Sequence, residues 1–292
     1  MKANLISKLV MAVLAMAMTF TPASFAGRNI TVTGSDTIVI MGQKWAETYM
    51  MEHPEVAIQV TGGGSGVGIA ALINGTTDAA NASRKIKDKE IEKAKQAGYY
   101  PEEHKVALDS LAVVVNSGNP VKELTLKQLM GIFTGRISNW SEVGGESAPI
   151  IRYSRESSSG TYQFFKEFVM KNQDYAADCQ TLAGTSAIAN AISKDPNGIA
   201  YGGAAYFLSQ PSVKILSVKK DDKSTAVSPI TADGRVDYEA AWSGAYPIWR
   251  YLYMYTPFKP KGELKAYLDW IKGPEGQKIV EEIGYVPLKG SR

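Results

Sequence analysis

Four serines, a threonine, a glycine and an arginine share one short stretch of the chain, Ser154-Arg155-Glu156-Ser157-Ser158-Ser159-Gly160-Thr161-Tyr162. The apolar run Ala148-Pro149-Ile150-Ile151 before it predicts a strand. Residues 162–170, with apolar side chains at helical spacing, predict a helix. The free N–H groups of a helix start carry partial positive charge and attract anions. Ser159 and Thr161 add hydroxyl donors, Gly160 lets the backbone approach closely, and Arg155 adds a charged fork. The chemistry these residues suit is holding an oxyanion. A serine or threonine before a helix is equally an ordinary N-cap, so the stretch alone fits both readings.

Two more turns share the pattern. Strand 29–33 leads into Gly34-Ser35-Asp36-Thr37 and a helix over about 38–51, on which Ile38, Met41, Trp45 and Tyr49 share one face. Strand 56–60 leads into Thr61-Gly62-Gly63-Gly64-Ser65-Gly66 and a helix over 67–73. No Gly-Lys-Ser/Thr closes that glycine-rich turn, so it is not a Walker loop. Val67 stands where a nucleophile elbow needs its last glycine. A third strand, residues 78–83, ends at Ser83 with Arg84 after it.

The remaining elements position these turns. Charged residues 85–95 predict a surface helix, and 106–115 a central or crossing strand. Thr125 is placed to cap a helix over 126–133. Trp140 packs a turn, residues 186–192 predict a helix, and 198–202 and 213–218 predict strands. Residues 248–255 suit a second long crossing strand, whose Tyr251, Tyr253 and Tyr255 fit either a cleft wall or the core. Helices over 262–272 and 275–283 close the chain. Alternating strands and helices give an α/β chain, and ligands of open α/β sheets bind where strand ends meet helix starts.

The first 26 residues read as an export signal: Lys2 and Lys8, an apolar core over 9–20, and Ser24-Phe25-Ala26 before the cut. They hold two of the 32 Lys and Arg and no acid, so the formal charge falls from +3 to +1 on removal. A nearly neutral chain gives no general attraction for nucleic acid. The single cysteine, Cys179, precludes an intramolecular disulfide or a thiolate metal site, and no cysteine stands at the cleavage site to carry a lipid. His53 and His104 are the only histidines and lie outside the donor-rich turns. No catalytic residues, metal or cofactor are therefore expected.

In order along the chain, Gly34-Ser35-Asp36-Thr37, Gly62-Gly63-Gly64-Ser65-Gly66, Ala82-Ser83-Arg84, Ser154-Arg155-x-x-x-Ser159-Gly160-Thr161, Gly198-Ile199-Ala200-Tyr201 and Gly273-Pro274-Glu275-Gly276-Gln277 resemble the periplasmic phosphate-binding proteins that serve phosphate-specific ABC transporters. The resemblance spans nearly the whole exported chain, and its Arg-x-x-x-Ser-Gly-Thr stretch is the most specific part. It implies a two-domain, type II-like periplasmic binding protein, each domain a mixed sheet flanked by helices, joined by two crossing strands at 106–115 and 248–255. The domains would be 27–112 plus 250–292, and 113–249, with inorganic phosphate in the cleft. A monomer working with the permease and ATPase subunits of an ABC transporter is implied. Carried over to these positions, Thr37 and Ser65 donate from the first domain, and Arg155, Ser159, Gly160 and Thr161 from the second. Ser35, Asp36, Ser83 and Arg84 complete the expected ligand set.

One departure stands out. Larger family members carry, directly after the serine of the third turn, an aspartate that accepts the proton of hydrogen phosphate; here Arg84 stands there. An arginine only donates. Asp36 is then the expected acceptor, while Arg84 either touches the anion or pairs with Asp36 or Glu156. Three other readings remain: a binder of sulfate, molybdate or tungstate, a secreted phosphatase or serine hydrolase, and a surface protein whose anion site is incidental. The fold by itself does not separate them.

Overall fold

A computed structural model describes residues 28–290; the expected export signal lies outside them. In chain order the elements are β1 (Arg28–Gly34), α1 (Val39–Glu52), β2 (Val56–Gly63), α2 (Ser65–Ile73), β3 (Ala79–Ala82), α3 (Asp88–Gln96) and β4 (Glu102–Asn116). Then follow β5 (Glu123–Thr125), α4 (Leu126–Phe133), β6 (Ile151–Arg155), α5 (Gly160–Phe168), β7 (Gln180–Leu182), α6 (Thr185–Lys194) and β8 (Gly198–Gly203). The last are β9 (Val213–Lys219), α7 (Tyr238–Trp242), β10 (Trp249–Thr256), α8 (Gly262–Lys272) and α9 (Pro274–Ile283).

The strands form one curled mixed sheet in the order β2-β1-β3-β10-β4-β8-β6-β7, with β9 pairing both β4 and β5. Strand β1 runs parallel to β2 and β3, so all three end at the same edge. Antiparallel β10 begins at that edge. Strand β4 pairs β10 from Glu102 to Ser110, then β8 from Leu111 and β9 from Val113. It is thus one continuous strand shared by two sets of strands. Its run from Val106 to Val115 is buried throughout, as expected of a strand covered on both faces.

The expected face of α1 packs as read: Ile38, Met41, Trp45 and Tyr49 are all buried against β1, β2 and α8 residues. A second core gathers Leu111, Val113 and Val115 of β4 with Phe133, Trp140, Phe165 and Tyr201. Thr125 caps α4 by accepting from the Gln128 N–H at 3.1 Å, and Gln128 Oε1 accepts from the Thr125 N–H at 2.8 Å. Replacing Thr125 with alanine should cost about 1 kcal/mol of stability. A urea melt checks this, and an unchanged midpoint would show that the reciprocal cap contributes nothing.

Some boundaries differ from the sequence reading. The strand before the serine-rich stretch is Ile151–Arg155, not 148–151. Pro149 lacks the N–H a ladder needs, and register with β7 and β8 carries the pairing through Ser154 and Arg155. The following helix starts at Gly160 rather than 162, and α2 starts at Ser65 rather than 67. Strands β5 and β7, three residues each, and helix α7, five residues, carry too little periodicity to be read from sequence.

Candidate functional site

The parallel ends of β1, β2 and β3 bring the first three turns together, and the β6–α5 turn faces them. After β1, the Ser35 N–H donates to Asn81 O at 2.9 Å, tying the turn to β3. Tyr206 Oη donates to Asp36 O at 2.7 Å, and Tyr285 Oη holds Thr37 O. Neither Asp36 nor Thr37 caps α1, whose N-cap is Ile38 without a side-chain bond; both side chains point to other work. Gly64 opens α2 at φ +97°, a conformation that needs glycine. The Gly66 N–H then donates across to Ser158 O at 2.9 Å.

Seven of the ten expected residues meet. Thr37 Oγ1 and Thr161 Oγ1 share a hydrogen bond of 2.8 Å, 124 residues apart in sequence. Asp36 Oδ2 accepts from Arg155 Nη2 at 2.8 Å. Ser65 Oγ accepts the Ser83 N–H at 3.0 Å and lies 3.3 Å from Ser83 Oγ. Gly160 is pressed against both serine hydroxyls, so closely that a Cβ there would overlap Ser65 Oγ and Ser83 Oγ. Ser35, Thr37, Ser65, Ser83, Arg155, Ser159 and Thr161 are all buried. Ser159 does what an ordinary cap does, accepting from the Thr161 and Tyr162 N–H groups at 3.2 and 3.3 Å. Ser35 is buried beside the cluster, and its Oγ has no hydrogen-bond partner.

Arg155 is the hub. Its Nη1 donates to Thr185 at 2.9 Å, its Nη2 to Asp36 and Glu156, and its Nε to Glu156 at 3.2 Å. Burial alone would raise the Glu156 carboxyl, but the Arg155 hydrogen bonds and charge, together with backbone N–H groups of Glu156 and Gly184, hold it below the usual range.

Arg84 is not drawn to the hydroxyls, nor to Asp36 or Glu156. It forks onto Glu90 of α3, Nη1 to Oε2 at 2.8 Å and Nη2 to Oε1 at 2.7 Å. Glu90 also accepts the Lys87 N–H at the start of that helix. The partner was hidden from sequence because it lies one helix turn into a segment that reads as a solvated surface. Arg84 still lines a groove of about 570 Å³ between β10 and α5, with Lys87, Phe164, Glu167, Arg250 and Tyr251. Lys87 crosses this groove to Gln163 at 2.8 Å and Glu167 at 3.1 Å. Tyr253 and Tyr255 are core residues, while Tyr251 is only half-buried.

Two residues were missed by sequence reasoning. Asp109 of β4 and Arg250 of β10 are directly opposite in register. Arg250 Nε and Nη2 donate to Asp109 Oδ2 at 3.0 and 2.7 Å, and Nη2 also donates to Thr161 Oγ1 at 2.9 Å. Burial pushes the Asp109 carboxyl up against the pull of Arg250. The cue was available: each is a lone charge in an otherwise uncharged β-prone run, and buried charges are kept only with partners.

His53 stacks on Tyr49 at the outer end of α1, and His104 pairs with Thr256 at 3.0 Å; both imidazoles are engaged elsewhere. Among the described residues no group of three or more His, Cys, Asp or Glu side chains is placed to hold a metal ion. No helix among them is long and apolar enough to cross a membrane.

A family model for the PBP superfamily domain matches residues 21–275. The phosphate-binding protein PstS of Pseudomonas aeruginosa is 33% identical over 283 residues, covering 91% of this chain and 85% of that protein. PstS of Bacillus subtilis is 32% identical, covering 90% and 82%. Among solved structures, a putative phosphate ABC transporter substrate-binding protein from Clostridium perfringens, with bound phosphate, superposes with TM-score 0.77 at 30% identity, covering 90% of this chain and all of that one. An ABC-type phosphate transport receptor from Vibrio cholerae gives 0.70 at 27%, covering 89% and 100%. With two thirds and more of both chains shared at this identity, and the hydroxyl turns in place, this chain belongs to the PBP superfamily and within it to the PstS phosphate-binding proteins.

Proposed function

We propose that the protein captures inorganic phosphate outside the cytoplasm between two closing lobes and delivers it to an ABC transporter, without catalysing a reaction. The carrying observation is the pair of contacts across the cleft, Thr37 to Thr161 and Asp36 to Arg155. They join turns that a two-lobed trap would bring together only on closure. The lobes would be 27–112 with 250–292, and 113–249. The change of partner along β4 between Ser110 and Leu111 supports a boundary close by. Export would end with cleavage after Ala26, leaving a soluble monomer that docks on permease and ATPase subunits.

Stripping water from a dianion is costly, and hydrogen bonds from several fixed donors must offset it. The hydroxyls of Thr37, Ser65, Ser83 and Thr161, the helix-start N–H groups around Gly160 and the Arg155 fork would be those donors. Ser35 Oγ, buried without a partner, is a further one. Ligand contacts from both lobes shift the population to the closed form.

Calorimetric titration with phosphate, sulfate and molybdate at two pH values tests the reading. One phosphate per chain should bind, with the other anions far weaker, and tryptophan fluorescence should change on closure. No heat with phosphate, or sulfate bound more tightly, would overturn it.

A further inference from the structure

Asp36 is occupied: Oδ1 accepts from the Gly63 N–H at 2.7 Å and Oδ2 from Arg155. It serves as a clamp between two elements, and Arg84 is locked to Glu90. The phosphate proton therefore needs another acceptor. Asp109 is 1% exposed, and its Oδ1 is buried with no hydrogen-bond partner, while Oδ2 takes both bonds from Arg250.

Its placement follows from register. Strand β4 keeps β10 as far as Ser110↔Trp249 and takes β8 from Leu111↔Gly203. Asp109 and Ser110 thus form the floor where β4 passes from one set of strands to the other. A side chain at Gly203 would stand 3.0 Å from Asp109 Oδ1 and 3.3 Å from Tyr285 Oη, the hydroxyl that holds Thr37 O. Oδ1 and Tyr285 Oη thus both stand within 3.3 Å of one point beside Gly203. From Oδ2 an unbroken chain runs through Arg250 Nη2 to Thr161 Oγ1 and on to Thr37 Oγ1, at 2.7, 2.9 and 2.8 Å. Because Arg250 only donates, the Thr161 oxygen is an acceptor on that side, and one of the two threonine hydroxyls donates to the other.

We propose that Asp109 is the specificity residue of this site, accepting through Oδ1 the hydrogen bond from the protonated oxygen of hydrogen phosphate, a role the sequence pattern assigns to position 84. The inference rests on the phosphate-binding reading above. A tetrahedral dianion with no O–H, such as sulfate or monofluorophosphate, would set a bare oxygen against the buried carboxylate, and a site built to pair an O–H rejects analogues that lack one. The role calls for the ionised carboxylate, which burial opposes and the Arg250 guanidinium favours.

The test titrates phosphate, sulfate and monofluorophosphate into the wild-type chain and into Asp109→Asn and Asp36→Asn variants. Asp109→Asn should weaken phosphate at least tenfold and leave sulfate and monofluorophosphate unchanged or tighter, narrowing the selectivity ratio at least tenfold. Asp36→Asn should weaken all three anions alike. A ratio unchanged in Asp109→Asn, or narrowed only by Asp36→Asn, overturns the assignment while leaving phosphate binding intact. A wild-type chain that ignores phosphate overturns the functional reading itself, and this assignment with it. Should Asp109→Asn melt too low to titrate, the double variant Asp109→Asn/Arg250→Gln leaves neither charge alone, and a preserved ratio in it counts equally against the proposal.

Discussion

Replacing Arg155 with alanine is expected to lower phosphate affinity at least a hundredfold, about 2.8 kcal/mol, with the fold retained. The side chain is 1% exposed and holds Asp36, Glu156 and Thr185 at once. Its loss removes a charged donor from the anion and also releases Asp36, the link from the β1–α1 turn to β6. Two carboxylates then sit near the anion with no counter-charge, which opposes binding further. Calorimetry gives the affinity, and circular dichroism separates lost binding from lost structure. Binding within a factor of three of wild type would remove Arg155 from the cradle.

The second large effect is steric. Gly160→Ala puts a methyl group into the space of Ser65 Oγ and Ser83 Oγ. Gly160 opens α5, where alanine is a good helix former, so that the helix itself should stand. What fails is the approach of the two walls. Phosphate affinity should fall at least a hundredfold, and small-angle scattering with saturating phosphate should show no contraction. A variant that still contracts would mean that Gly160 and the two serines do not meet in the loaded protein.

How far the sequence anticipates all this depends on the range of the interactions involved. The capped helix at Thr125 and the buried face of α1 rest on neighbours within a few residues, and both stand where local pattern puts them. The donor-rich turns are equally legible, because Ser, Thr, Asp and Gly between a strand and a helix leave few alternatives. Partners are another matter. Arg84 reads as a cleft residue, yet Glu90, which looks like surface, takes its fork. Ser154 and Arg155 look like loop, and become strand because β7, more than 25 residues later, supplies the ladder. Asp109 and Arg250 lie 141 residues apart and meet through register alone. One sequence without relatives shows that each is out of place in an apolar run, but not that they answer one another.

The three arginines at the cleft share a feature with a kinetic consequence. Arg84 is matched by Glu90, Arg155 by Asp36 and Glu156, and Arg250 by Asp109. The cleft is therefore rich in donors yet close to electrically balanced, on a chain whose formal charge is only +3. Long-range steering of an anion needs an unbalanced field, and this arrangement provides almost none. Encounter is left to diffusion, and discrimination falls to what happens after contact, when the geometry of donors and one unpaired acceptor decides which anion stays. A trap of this kind does not concentrate every anion in its surroundings at its mouth, so sulfate and chloride in excess do not crowd the entrance by charge alone.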